Sequence, residues 1–594
     1  MKQMALPYLT ERIYMSFNIH KSLSITPLKT LVVTGFLSIS AVFAASYPPT
    51  RDTTGTGLAM TSSAYATAIG KSVLDNGGNA IDAAVAVGYA LAVVHPAAGN
   101  IGGGGFAVIH LANGENVVLD FREKAPLKAT RDMYLDNKGN VIPNASTLGY
   151  LAAGVPGTVK GMSAMLDKYG TKPLGELMQP AIDLAENGFV LTDRQAETML
   201  EVKDDLGKFA STKKYFLKKD GSLYKGGDTL VQKDLAKTLR LIQKEGESAF
   251  YTGKIADLIV TDMQNNGGII SKDDLAQYNV VWRKPVTGTY RGYEIISMSP
   301  PSSGGTHIIQ ILNTMENADI GKMGFGSSKT IALMAEAMRQ AYADRSVFMA
   351  DPDFFSVPTD ELLSKQYAKK IYANILKANG KAVPSKNIKP GLGIIKVGQP
   401  INHKEGNHTT HYSVADKWGN AVSVTYTINA SYGAIAAVEG AGFILNNEMD
   451  DFSIKPGVAN LYGLVGGEAN AIVPGKRPLS SMSPTIILKD GKLFMVVGSP
   501  GGARIITTVL QVISNVIDHK MDIAKAVESP RFHMQWEPDE IRIEPYGMTK
   551  DVQDNLKRMG YKITELPDMG DVSAIVRDTQ TGIMYGVNDP RKEF

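Results

Sequence analysis

The sequence predicts a large layered domain of the α/β or α+β class, and three observations predict it: a run of small apolar residues behind a helix-capping Asn, three hairpins marked by their turn residues, and a long middle stretch with helical apolar spacing. With 594 residues and 44% hydrophobic content, the chain is long enough to bury a large core.

The elements follow in chain order. Residues 30–44, TLVVTGFLSISAVFA, stand behind Lys21 and Lys29 and end in Val42-Phe43-Ala44, the pattern of a secretory signal peptide with the mature chain starting near residue 45. The run is too short and too rich in Ser and Thr for a stable membrane span, which needs roughly 18 or more apolar residues. Met15 is an alternative start to Met1.

Asn79 caps AIDAAVAVGYALAVV, a buried helix that should end at His95-Pro96. In GNIGGGGFAVIHLANGENVVLDFRE, Asn113-Gly114 marks a tight hairpin turn, and Arg122 lies at the far end of its second arm. Residues 150–280 carry amphipathic helical spacing with Gly and Pro breaks and read as packing scaffold. RGYEIISMSPPSSGG reads as a strand entering a turn, and SSKTIALMAEAMRQAYADRSVFM as a helix opened by Ser327 or Ser328. The stretch 377–408 is rich in Gly, Pro, Lys and Asn and is expected to be an exposed, weakly structured connection ending at Thr409. Strands follow, then the helix ARIITTVLQVISNVIDH, then short strands to the end.

Composition excludes several classes of function. The chain has no cysteine, so it has neither a disulfide framework nor a thiol nucleophile. Its formal charge is +3, and the first 44 residues, with four basic side chains and one acid, account for it. The mature chain is near neutral and has no basic stripe, which argues against nucleic acid as a partner. The nine histidines show no metal-ligand spacing.

The chemistry points to THYSVADKWGNAVSVTYTIN. Lys417, Trp418 and Gly419 form a three-residue loop with Gly419 in the left-handed position. Pairing about that loop sets Ala415 opposite Ala421, Val414 opposite Val422 and Thr409 opposite Thr427, with Thr425, Thr427 and Asn429 on one face. Taken alone this is also the pattern of an ordinary sheet face, where Thr is favoured. Its position distinguishes it. A cut before Thr409 would create an N-terminal residue carrying both a hydroxyl nucleophile and an α-amino base.

A second hairpin, turning at Asp490-Gly491, brings Ser480 and Ser481 to the same end as Gly501 and Gly502, with Pro484 disturbing the ladder between. The two glycines precede a helix, so their amides are candidates for an oxyanion hole; a tight turn would need glycine there as well.

Taken together, TTHYSV, TYTIN, NNEMDDF, PLSSMSPT and GSPGG resemble the γ-glutamyltranspeptidase family, and GGGGF, DFREKAP, YRGY and PPSSGG extend the resemblance across essentially the whole mature chain. It implies an N-terminal-nucleophile hydrolase with an αββα sandwich, made as a precursor that cuts itself at His408-Thr409 into a large subunit, residues 45–408, and a small one, 409–594. It also implies a γ-glutamyl-Thr409 ester formed from glutathione or a related γ-glutamyl compound and resolved by water or by an acceptor amino acid or dipeptide.

Carried over by motif, Thr427 would hydrogen-bond the nucleophile, and Gly501 and Gly502 would form the oxyanion hole. Arg122, Ser480 and Ser481 would hold the substrate α-carboxylate; without the motif, a surface pair of Arg122 with Asp120 or Glu123 would be the plainer reading. Asn429, Glu448 and Asp451 would hold the α-ammonium, and Tyr462 would belong to a lid loop. The family uses no metal or other cofactor, and His411 matches none of its roles, so a structural histidine is expected. With the signal segment, the resemblance places the protein in the periplasm or outside the cell. The rival readings are a cephalosporin or glutaryl acylase of the same fold and a non-catalytic secreted binding protein.

Overall fold

The computed structural model describes residues 48–395, 409–455, 457–567 and 569–591. The signal-like segment 1–44, the end of the predicted connection at 396–408 and the proposed cleavage partner His408 lie outside them.

Two large antiparallel sheets form the centre. One runs in the order Gly57–Thr61, Thr410–Asp416, Ala421–Thr427, Gly104–His110, Asn116–Phe121, Val281–Arg283. The other has seven strands, among them Tyr293–Ser297, Thr485–Lys489, Lys492–Gly498, Ser573–Arg577 and Met584–Asn588. Side chains alternate along a strand, so each face has one neighbour. Tyr412, Val414, Val422, Val424 and Tyr426 pack with the helix Ala80–Val94 in one apolar cluster. Ala415 and Ala421 face the other way and join a cluster containing Val496 and Ile575 of the second sheet. The helices Gly304–Met315, Ser328–Phe348 and Arg504–Ile517 add to that second cluster. The layers therefore run helices, sheet, sheet, helices.

The seam between the sheets is partly polar. Ser413 Oγ donates to Ser573 O at 2.9 Å, and Ser423 Oγ donates to Val497 O at 3.2 Å while accepting from Thr485 N at 3.0 Å. His411 lies in the same seam, with Nδ1 2.8 Å from Thr425 Oγ1 and Nε2 3.0 Å from Ser413 Oγ. Burial pushes its pKa down to about 3, so the ring is neutral and acts as a cross-link. A Cβ on Gly498 would stand 2.3 Å from that ring, so the residue facing His411 must be glycine.

Local signals account for the elements. Asn79 Oδ1 accepts from Ile81 N and Asp82 N, and Asp82 Oδ2 accepts from Asn79 N, a capping box that opens a helix buried along its whole length. Ser327 caps the helix Ser328–Phe348 through Thr330 N. Between residues 158 and 276 the chain is mostly helical, as its periodicity predicts. Asp490 and Gly491 both have positive φ in a two-residue turn between the paired Lys489 and Lys492. At Asn113-Gly114 the turn is wider than expected: Leu111 pairs with Glu115, leaving a three-residue loop with Gly114 at φ 91°.

The connection after residue 377 departs from its expectation as far as residue 395. Ser385 and Gly391 are buried, and three separate elements hold the segment. Ser385 N donates to Asp539 Oδ2 at 2.8 Å, Gly391 N to Asp344 Oδ1 at 2.7 Å, and Ala382 N to Met559 O at 2.8 Å. Its Gly, Pro and Lys content reflects short 3-10 turns docked on the surface. No described helix is long and apolar enough to cross a membrane.

Asp416 ties the nucleophile hairpin to the first helical layer. Its carboxylate accepts from the backbone of Trp418, Gly419 and Asn420, from Asn420 Nδ2, and from Ala80 N at the start of the buried helix. Asp416→Ala is expected to cost about 3 kcal/mol, since hydrogen bonds to a buried charge contribute roughly 1.5–3 kcal/mol each and are not additive. Thermal unfolding should move down by roughly 3–5 °C; an unchanged midpoint would contradict this role.

Candidate active site

The strand register positions the candidate nucleophile. Thr410 pairs with Tyr426, so one further step sets Thr409 opposite Thr427. By alternation both share the inter-sheet face with His411 and Thr425, at the end of the strands where the seam opens. There they line a small pocket together with Arg122, Asn429, Glu448, Asp451, Tyr462, Ser480, Ser481 and Gly502. Those residues come from segments far apart in the chain. Gly501, beside Gly502, does not itself line the pocket.

Each side chain is held. Arg122 follows directly on the strand Asn116–Phe121 and is fully buried. Its Nη1 pairs with Glu448 Oε1, its Nη2 donates to Asp451 Oδ2 at 2.5 Å, and its Nε donates to Pro478 O at 3.3 Å. The surface pairing is therefore excluded: Asp120 accepts from the Arg122 backbone amide, and Glu123 stands 3.5 Å from Nη1 inside the protein. Burial drives the carboxyl groups of Glu448 and Asp451 upward in pKa while the Arg122 charge opposes it, and burial is the larger effect. Among the described residues, Glu448 Oε2 is buried without a hydrogen-bond partner.

Asn429 adopts φ 73°, which Asn tolerates better than most residues. Its amide N donates to Thr427 Oγ1 at 2.8 Å, its Nδ2 donates to Asn447 O at 2.9 Å, and its carbonyl accepts from Tyr462 Oη at 2.6 Å. Tyr462 is thus a buried strap across the pocket, and Asn460 of the same loop donates to Asp451 Oδ1 at 2.8 Å. Ser480 is fixed by the PPSS turn: its N donates to Pro301 O, and its O accepts from Ser303 N and Ser303 Oγ. Gly501 and Gly502 have φ 137° and 55°, and the helix Arg504–Ile517 begins two residues on. Such an end offers amides and positive potential to a developing anion.

The arrangement combines hydroxyls, a glycine turn, two guanidinium groups and two carboxylates around a small volume. The family model described as Gamma-glutamyltranspeptidase matches residues 66–594. The chain belongs to the γ-glutamyltranspeptidase family. It is 49% identical over 579 residues to the glutathione hydrolase proenzyme of Escherichia coli strain K12, covering 95% of this chain and 98% of that one. It is similar to the crystal structure of Helicobacter pylori gamma-glutamyltranspeptidase, at 63% identity and TM-score 0.57 over 59% of this chain and 100% of that one. It is also similar to the cephalosporin acylase from Bacillus halodurans, at 26% identity and TM-score 0.79 over 94% of this chain and 98% of that one.

Within this γ-glutamyltranspeptidase framework, sequence reasoning missed four polar residues. Asn446 and Asn447 brace the acidic turn: Asn446 Oδ1 accepts from Glu448 N, and Asn447 Oδ1 from Ala430 N. Both stand in the quoted NNEMDDF, so their signal was present. Arg345 also lines the pocket, from a helix whose burial on all sides hides any polar face. Asp450, between the site acids, accepts from Ser146 Oγ at 2.8 Å and from Leu461 N at 2.7 Å, so it anchors the Tyr462 loop. Among the described residues no group of three or more His, Asp or Glu is placed to hold a metal.

Burial raises the Asp450 pKa from 3.8 to about 7. A carboxyl raised on folding contributes stability at low pH that is lost as pH climbs from its unfolded toward its folded pKa. Asn mimics the protonated acid, donating to Ser146 and accepting from Leu461. Asp450→Asn should match wild type near pH 4 and exceed it near pH 8 by a few kcal/mol, because each tenfold difference in proton affinity between the two states corresponds to about 1.4 kcal/mol. Thermal midpoints across that range check it, and parallel profiles would contradict it.

Proposed function

We propose that the chain is a self-processing γ-glutamyltransferase and glutathione hydrolase acting in the periplasm or outside the cell. The observation that carries this reading is the pairing of the Arg122 guanidinium with the Glu448 and Asp451 carboxylates in the pocket that Thr409 lines. An amino-acid head group carries the complementary pair of charges. Its carboxylate would engage Arg122, Ser480 and Ser481, and its ammonium would engage Asn429, Asp451 and Glu448, whose Oε2 has no hydrogen-bond partner among the described residues.

In the precursor, the Thr409 hydroxyl attacks the carbonyl carbon of His408, and the peptide nitrogen leaves as the Thr409 amine. Water then hydrolyses the ester and separates residues 45–408 from 409–594. In the mature protein that amine takes the hydroxyl proton as Oγ1 attacks the γ-glutamyl carbonyl of glutathione or a related compound. Thr427 holds the nucleophile, and the Gly501 and Gly502 amides receive the oxyanion. Collapse expels the amine product and leaves a γ-glutamyl ester, which water or an acceptor amino acid or dipeptide resolves. Tyr462 and its loop keep the head group from bulk water.

A glutaryl group, the acylase substrate, lacks the ammonium and would leave Glu448 and Asp451 with Arg122 alone, which must also engage the substrate carboxylate. Leaving a buried charge unpaired costs about 2–5 kcal/mol. The purified protein should therefore prefer γ-glutamyl over glutaryl anilide by roughly 30-fold or more in kcat/KM. Arg122→Gln should raise the KM for γ-glutamyl anilide at least as far. Equal rates on the two anilides would favour the acylase, and activity on neither would favour the binding protein.

A further inference from the structure

Arg345 is 4% exposed and reaches the pocket from the buried helix Ser328–Phe348. Three other buried arginines each form an ion pair with an acid: Arg122 pairs with Glu448, Arg477 with Asp120, and Arg531 with Asp589. Arg345 forms no such pair among the described residues. Its Nη2 donates to Ser481 Oγ at 3.2 Å, and its Nε donates to Ser303 Oγ at 2.9 Å. Ser303 in turn donates its hydroxyl to Ser480 O at 2.8 Å. One guanidinium thus holds both serines of the candidate carboxylate site, Ser481 directly and Ser480 through Ser303.

Arginine only donates, so the Ser481 oxygen acts as acceptor toward it and the Ser481 proton must point elsewhere. Ser481 lines the pocket, so that proton is available to a ligand there. The positive charge of Arg345 polarises the same hydroxyl. Burial pulls its pKa down only to about 10, with Asp451 favouring the charge and Arg122 opposing it, so the group remains cationic at neutral pH. Two guanidinium groups therefore face one small cavity, and among the described residues only Arg122 of the two forms ion pairs with protein acids.

We propose that Arg345 is a positioning residue for the substrate α-carboxylate: it fixes Ser481 as a donor into the pocket and supplies the second positive charge that balances that carboxylate. The proposal rests on the γ-glutamyl reading of the site and deepens it.

The test uses the full-length, self-processed protein with γ-glutamyl anilide and with the analogue whose α-carboxylate is a carboxamide. Arg345→Met should raise KM for the first at least roughly tenfold with kcat within about threefold, and the loss should shrink toward onefold on the carboxamide. In a cycle with Ser481→Ala, the double variant should be no worse than about the larger single loss, because the effect passes through that hydroxyl. Arg345→Lys keeps the charge and should recover part of the KM; it also serves if the Met variant fails to fold. Equal losses on both substrates, additive losses with Ser481→Ala, or an unchanged KM would overturn the proposal. A wild-type protein inactive on γ-glutamyl anilide would instead overturn the functional reading beneath it.

Discussion

A slip of one residue between the strands Thr410–Asp416 and Ala421–Thr427 would turn Thr409 from the seam between the sheets to the helix-facing side. The candidate chemistry depends on that register, and several independent constraints fix it. Asp416 closes the loop and ties it to Ala80, Tyr412 and Tyr426 fill the helix-facing core, and His411, Ser413, Ser423 and Thr425 occupy polar positions in the seam. A slip would bury hydroxyls in the apolar layer and push tyrosines into the seam, leaving polar groups without partners.

The second constraint is electrostatic. Arg122, Glu123, Glu448, Asp451 and Arg345 share a dry region, where charges remain only if they are matched. Arg122 holds the acids, while among the described residues Glu448 Oε2 has no hydrogen-bond partner and Arg345 no ion pair. A zwitterionic head group completes both. Such a cluster is poor for stability and well suited to selecting a ligand with a carboxylate and an ammonium on one carbon.

Much of this was legible in the chain. Turn residues and alternation gave the hairpin register and the helix at Asn79, because these are local choices that a few residues decide. Arg122 and Glu448 are 326 positions apart, so nothing local could join them, and only the family motifs put them in one site. Arg345 was hidden because a helix buried on every side shows no polar face for periodicity to report. The segment 378–395 misled for a related reason: glycine, proline and lysine mark irregular backbone, yet its docking depends on Asp539, Asp344 and Met559 from elsewhere. Composition reports shape more readily than partners.

All of the proposed chemistry requires that Thr409 become a chain terminus and serve as the nucleophile. Intact-mass measurement of the purified protein beside Thr409→Ala tests this most directly. Two wild-type fragments, the smaller beginning at Thr409, and one uncut chain for the variant are the expected result. A folded wild-type protein that stays a single chain, or a Thr409→Ala protein that is cut as efficiently, would contradict it.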